Sequence, residues 1–163
     1  MHRFVARIVP IALAVGLLTA CGENAAGLKE AAQAALDGGD TATALLKADA
    51  ALAAAGGDRA LSWQIQQIRL QARARGGDGE GAKSLLQELA GANKDLVRSS
   101  LYVSVANDLK KAQQTSAAID VLHAGDLAFP AEHETFVAAI QDLQKTEELD
   151  PAEIERLKSL GYL

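Results

Sequence analysis

Aromatic side chains are scarce in this 163-residue chain, with one tryptophan, two tyrosines and three phenylalanines. A sandwich or barrel of strands needs period-two runs of aromatic and β-branched residues, and nothing after residue 21 alternates in that way for long. Cys21 is the single cysteine, so no internal disulfide can staple the fold. The longest apolar stretch near the start, Ile8 to Leu18, counts 11 residues and contains Pro10, whereas a membrane-spanning helix needs about 20. Cations are outnumbered by carboxylates, 16 to 21, which argues against nucleic acid as a partner.

What is present begins with an export signal. Arg3 and Arg7 precede the Ile8–Leu18 run, and small residues then lead to Cys21, the layout of a secretory leader. Leu18, Thr19, Ala20 and Cys21 resemble the lipobox of bacterial lipoproteins. That resemblance implies cleavage before Cys21, a lipid on its thiol and attachment of the mature chain to a membrane. Gly22 is similar to the residue found there in lipoproteins sent to the outer membrane, so the expected location is the periplasm-facing envelope, at the outer membrane more than the inner. Loss of residues 1–20 removes two arginines and no carboxylate, taking the net charge from −5 to −7 and leaving 143 residues. That length suits one domain with a continuous core.

Beyond Cys21 the apolar residues recur at helical spacing. Gly38-Gly39-Asp40, Gly56-Gly57-Asp58 and Gly76-Gly77-Asp78 each supply glycine for a helix end and aspartate for the next N-cap. Intervals of 18 and 20 residues between them predict helices of similar length joined by short loops. Ala44, Ala82 and Ala118 line up at intervals of 38 and 36. Four and seven residues further on stand Ala48 and Ala51, Leu86 and Leu89, and Leu122 and Gly125, a spacing that puts each trio on one buried helical face.

These repeats resemble the tetratricopeptide family, whose units of about 34 residues are helix pairs with small residues at close contacts. Pro130, twelve residues after Ala118, fits the pattern, as does Tyr102 at an expected aromatic position; Gly56 and Lys94 stand where the first two units would close with proline. The resemblance covers about residues 28–130 and implies an all-α, right-handed superhelical stack of helix-turn-helix hairpins. A further helix through Glu147, with Phe136, Val137, Ile140 and Leu143 on one side, is expected to cap it. Asp150 and Pro151 open a last short helix carrying Ile154, Leu157 and Leu160, ended by Gly161. The expected organisation is a cleaved signal at 1–20, a lipidated linker at 21–27, a repeat domain at 28–149 and an amphipathic helix at 150–163.

Convergent catalytic groups are not found. His123 and His133 lack the one-turn partner of a zinc helix and read as solvated or capping residues. Gly76 to Ser84 approaches a phosphate-binding loop, but Ala82 separates the last glycine from Lys83, and two carboxylates would repel phosphate. Trp63 reads equally as a packing residue or a ligand contact. No cofactor or metal is expected, and the chain reads as a binding protein.

The resemblance further implies that the first helix of each hairpin lines a concave surface. Lys29 and Gln33, then Gln64, Gln67, Gln71 and Arg75, then Ser100, Asn107, Lys110 and Lys111 would face a partner there. None of these is acidic, although the chain is. Carboxamides pair with peptide backbone and cations with carboxylates, so the expected ligand is an extended peptide of an envelope protein, acidic or C-terminal. A solvated polar face accounts for the same residues. Three alternatives stay open: a homodimer, a helical enzyme or small-molecule carrier, and a spacer that self-associates through Ile154, Leu157, Leu160 and Tyr162.

Overall fold

Helical structure starts at Asn24, whose side-chain oxygen accepts a hydrogen bond of 2.8 Å from the Gly27 amide. The protein is described here by a computed structural model covering residues 24–163; the signal, Cys21 and Gly22 lie outside the described residues. Because Asn24 is a cap, α1 begins at Ala25, three residues before the expected start of the repeat domain at 28.

Eight α-helices follow, with no strand among the described residues. They are α1 (Ala25–Asp37), α2 (Thr41–Ala54), α3 (Arg59–Arg75), α4 (Gly79–Ala92), α5 (Ser99–Lys111), α6 (Thr115–Ala128), α7 (His133–Thr146) and α8 (Pro151–Leu160), with a 3-10 turn at Pro130–Glu132. Sequential helices pair from α1 through α7, α1 also packs on α3, α3 on α5 and α5 on α7, while α4 packs on α6 and α6 on α8. Thus α7 and α8 both pack on α6 rather than chiefly on each other. None of these helices is long and apolar enough to cross a membrane.

The turns carry this order. At Gly38-Gly39-Asp40 the amide of Asp40 donates to the Ala35 carbonyl at 2.9 Å, Gly39 takes a φ of 80°, and the Asp40 carboxylate caps Thr43. Gly76-Gly77-Asp78 repeats the geometry, Asp78 donating to Arg73 at 3.0 Å. The third hairpin makes the same backbone bond, from Gln114 to Leu109 at 2.9 Å, without glycine or aspartate: Gln113 holds a φ of 59° and Gln114 gives no side-chain cap. Asp150 closes the series with a capping box to Glu153, and Gly161 ends α8 in the left-handed region.

Each predicted trio on α2, α4 and α6 is buried. Small residues there set the helix spacing. A Cβ on Gly125 would overlap the Phe136 ring and lie 2.9 Å from the Tyr102 Cβ, so α5, α6 and α7 meet at that glycine. Two cores result. The first, mostly alanine with Leu36, Ile65 and Ile68, joins α1, α2 and one face of α3. The second joins the opposite face of α3, at Leu70 and Ala74, to everything after it, with Phe136 and Leu157 fully buried.

Candidate functional site

Five of the nominated partner-facing residues converge. Lys29 and Gln33 from α1 meet Gln64, Gln67 and Gln71 from α3 around an open cavity of about 460 Å³ floored in part by Ile68. The glutamines sit at successive turns of α3 because spacings of three and four keep residues on one helical face. Their partners differ. The Lys29 ammonium donates to Gln64 Oε1 at 3.1 Å, and Gln33 donates to Asp37 Oδ1 at 2.8 Å. Gln67 and Gln71 are half-buried, and among the described residues no protein group hydrogen-bonds either carboxamide.

The charge expected of this surface needs correction. Glu30 and Asp37 line the same cavity, so its one cation, Lys29, faces two carboxylates. Arg75 pairs with Asp108 at 3.2 Å, whose side chain is only 7% exposed, and Lys110 pairs with Asp142 at 3.0 Å. These pairs are separated by 33 and 32 residues, about one repeat. Two of the nominated cations are thus paired with carboxylates of a later helix, while Lys111 stays exposed. Arg75, Asn107, Lys110 and Lys111 stand outside the cavity, and Ser100, Asn107 and Lys111 are exposed.

A second polar centre was not legible in the sequence. Asp126, near the end of α6, accepts from the Tyr162 hydroxyl at 2.7 Å and contacts His133 Nδ1 at 2.8 Å. His123 Nδ1 lies 3.1 Å from the same hydroxyl, its ring edge-on to the tyrosine. Burial alone would push the Asp126 carboxyl up, but hydrogen bonds from Tyr162 and His133 and the positive potential of the two histidines hold it below its usual value. Burial and the Asp126 carboxylate in turn push the Tyr162 phenol up. His123 is therefore a half-buried member of a tail-fastening network rather than a solvated residue. His133 joins it from a side chain 60% exposed, in keeping with the expectation of a solvated histidine. No family model, curated protein or solved structure matches this chain. Function has to be argued from these sites alone.

Beside that network Asp120 bridges Lys83 at 2.8 Å and Arg156 at 2.7 Å, tying α4, α6 and α8 together. Burial opposes ionisation of Asp120, yet the hydrogen bonds from both cations keep its carboxyl below the usual range. Ser116 donates to Glu153 at 3.2 Å on the same line of helices. Of the tail residues nominated for self-association, Leu157 is fully buried and Tyr162 is fastened to Asp126, while Ile154 and Leu160 are half-buried. Trp63 is half-buried, packing on the edge of the second core on one side and lining an open notch with Arg59 and Leu96 on the other. Opposite charges one repeat apart were the available signal for the pairs Arg75–Asp108, Lys110–Asp142 and Lys83–Asp120.

Proposed function

We propose that this chain is a lipid-anchored, extracytoplasmic helical-repeat adaptor of the tetratricopeptide kind. Cys21 carries the lipid, and the α1–α3 groove holds an extended peptide segment of an envelope protein. One observation carries the groove reading: Gln67 and Gln71 present two unpaired, half-buried carboxamides above the apolar floor of a 460 Å³ cavity. Each carboxamide offers both donor and acceptor, which matches the alternating amide and carbonyl of an extended backbone. The mixed charge of Lys29, Glu30 and Asp37 favours backbone pairing over selection for an acidic sequence.

Attachment and binding are separable. Cys21→Ser removes the thiol that takes the lipid, and incorporation of radiolabelled fatty acid into the protein is expected to be lost; a parent chain that takes up no label, or a variant that takes up as much, would refute the anchor. For the groove, the full lipidated chain and its Gln67→Ala/Gln71→Ala variant are used to capture partners from membranes by reversible cross-linking. A partner held by the parent chain and lost from the double variant supports the reading. An identical set from both removes the groove from the account.

A further inference from the structure

Every connection between hairpins lies at the end of the stack where α1 starts. Arg59 at the head of α3 pairs with Asp95 in the 93–98 loop, and Ser99 at the head of α5 bonds to Glu132 ahead of α7. The Tyr102 ring meets Phe129 edge-on, and Tyr162 reaches Asp126 near the end of α6. Only the residues between Cys21 and Ala25 separate this end from the proposed lipid. Four residues extend at most about 14 Å, so a lipid on Cys21 brings this end, and not the opposite one, to the bilayer.

The same end has a surface suited to lipid. Two notches of about 330 Å³ each flank the 93–98 loop. One combines Val97, Tyr102 and Phe129 with Lys94 at its edge. The other combines Trp63 and Leu96 with Arg59. Leu127, at the end of α6, is 70% exposed. Amphipathic aromatics and a cation beside apolar side chains are what a headgroup layer accepts. With Arg59 paired to Asp95 and Val97 and Tyr102 buried, the groups presented are Lys94, Leu127 and the half-buried Trp63 and Phe129. Lys94 has no ion-pair partner among the described residues.

We infer that the 93–98 loop, with Trp63 on one side and Phe129 on the other, is a second contact with the membrane, seated on the headgroups of an anionic phospholipid bilayer. This rests on the lipid-anchor reading. The lipid supplies the attachment and the loop supplies the orientation, so the stack stands on this end with the α1–α3 groove opening alongside the bilayer. Each cation near an anionic surface changes such an equilibrium roughly five-fold.

The single tryptophan is the probe. The lipidated full chain is placed on vesicles of phosphatidylethanolamine and phosphatidylglycerol with nitroxide-labelled headgroups, and flotation is read together with Trp63 emission. The expected result is flotation with quenching, and partial recovery of emission in Lys94→Glu while the protein still floats. Flotation without quenching overturns the seat but spares the anchor. Absence of flotation overturns the anchor and the seat together. Equal quenching in Lys94→Glu, with helicity unchanged by circular dichroism, removes Lys94 from the contact and leaves the aromatic notches to be tested by Phe129→Ser; equal quenching there as well overturns the proposal.

Discussion

Restoring glycine and aspartate to the third hairpin turn should stabilise the protein. Gln113 holds a φ of 59° where the other two hairpins place Gly39 and Gly77, and a side chain in that region costs roughly 1–2 kcal/mol. Glycine is more flexible when unfolded, which offsets roughly 0.5–1 kcal/mol. Gln113→Gly therefore gains about 0.5–1 kcal/mol. Gln114→Asp adds the cap that α6 lacks, typically ~1 kcal/mol. Gln114 also lies against Gly79 of the preceding hairpin, so part of that gain is lost with its packing. The double variant should gain about 1–2 kcal/mol, near 3–6 °C in Tm at roughly 3 °C per kcal/mol for a domain of this size. Thermal unfolding by circular dichroism at neutral pH measures it. The reverse change at the first turn, Gly39→Gln, should lower Tm. If Gln113→Gly fails to raise Tm while Gly39→Gln lowers it, the two turns are not equivalent and the reasoning fails.

Two further perturbations probe the packing and the tail. Gly125→Ala places a methyl group against Phe136 and the Tyr102 Cβ, and overpacking of this kind costs about 1–3 kcal/mol; urea unfolding should show a lower midpoint, and an unchanged one would mean that the helices separate freely. Tyr162→Phe removes a hydroxyl donor from the mostly buried Asp126 carboxylate and should cost about 1–2 kcal/mol at pH 7. Asp126 has a depressed folded pKa, so its contribution is complete above the unfolded value of about 3.9 and disappears as pH falls through the folded value. The stability gap between parent and variant should therefore hold down to the ordinary carboxylate range and narrow only in stronger acid, and a gap that closed already between pH 7 and pH 5 would show that Asp126 is not the acceptor that matters.

Patterns dictated by local geometry were readable in the chain. Ala44, Ala82 and Ala118 announce their register because only small residues tolerate close helix contact, and the glycine-aspartate turns announce themselves because both residues have specific backbone duties. The third turn was silent, since Ala112, Gln113 and Gln114 adopt the same backbone without those residue types. The helices α7 and α8 were read as a cap and a short amphipathic tail, and no glycine-aspartate turn joins them. For the candidate site, helical spacing placed Gln64, Gln67 and Gln71 on one face, and the structure brings Lys29 and Gln33 to them. Asp108, Asp126 and Asp142 escaped notice because each meets its partner through repeat stacking, which residue-level motifs do not encode.

The division of the interior at α3 has a mechanical consequence. Ile65 and Ile68 grip the first hairpin while Leu70 and Ala74 grip the rest, so a pull between the two ends of the described chain passes through this one helix. The seam on the N-terminal side is lined mainly by alanine methyl groups and the far side by larger side chains such as Phe136, Ile140 and Leu157. Force would therefore peel α1 and α2 away first, leaving the later hairpins folded. Such an ordered release would open the groove between α1 and α3 before any later helix unfolds.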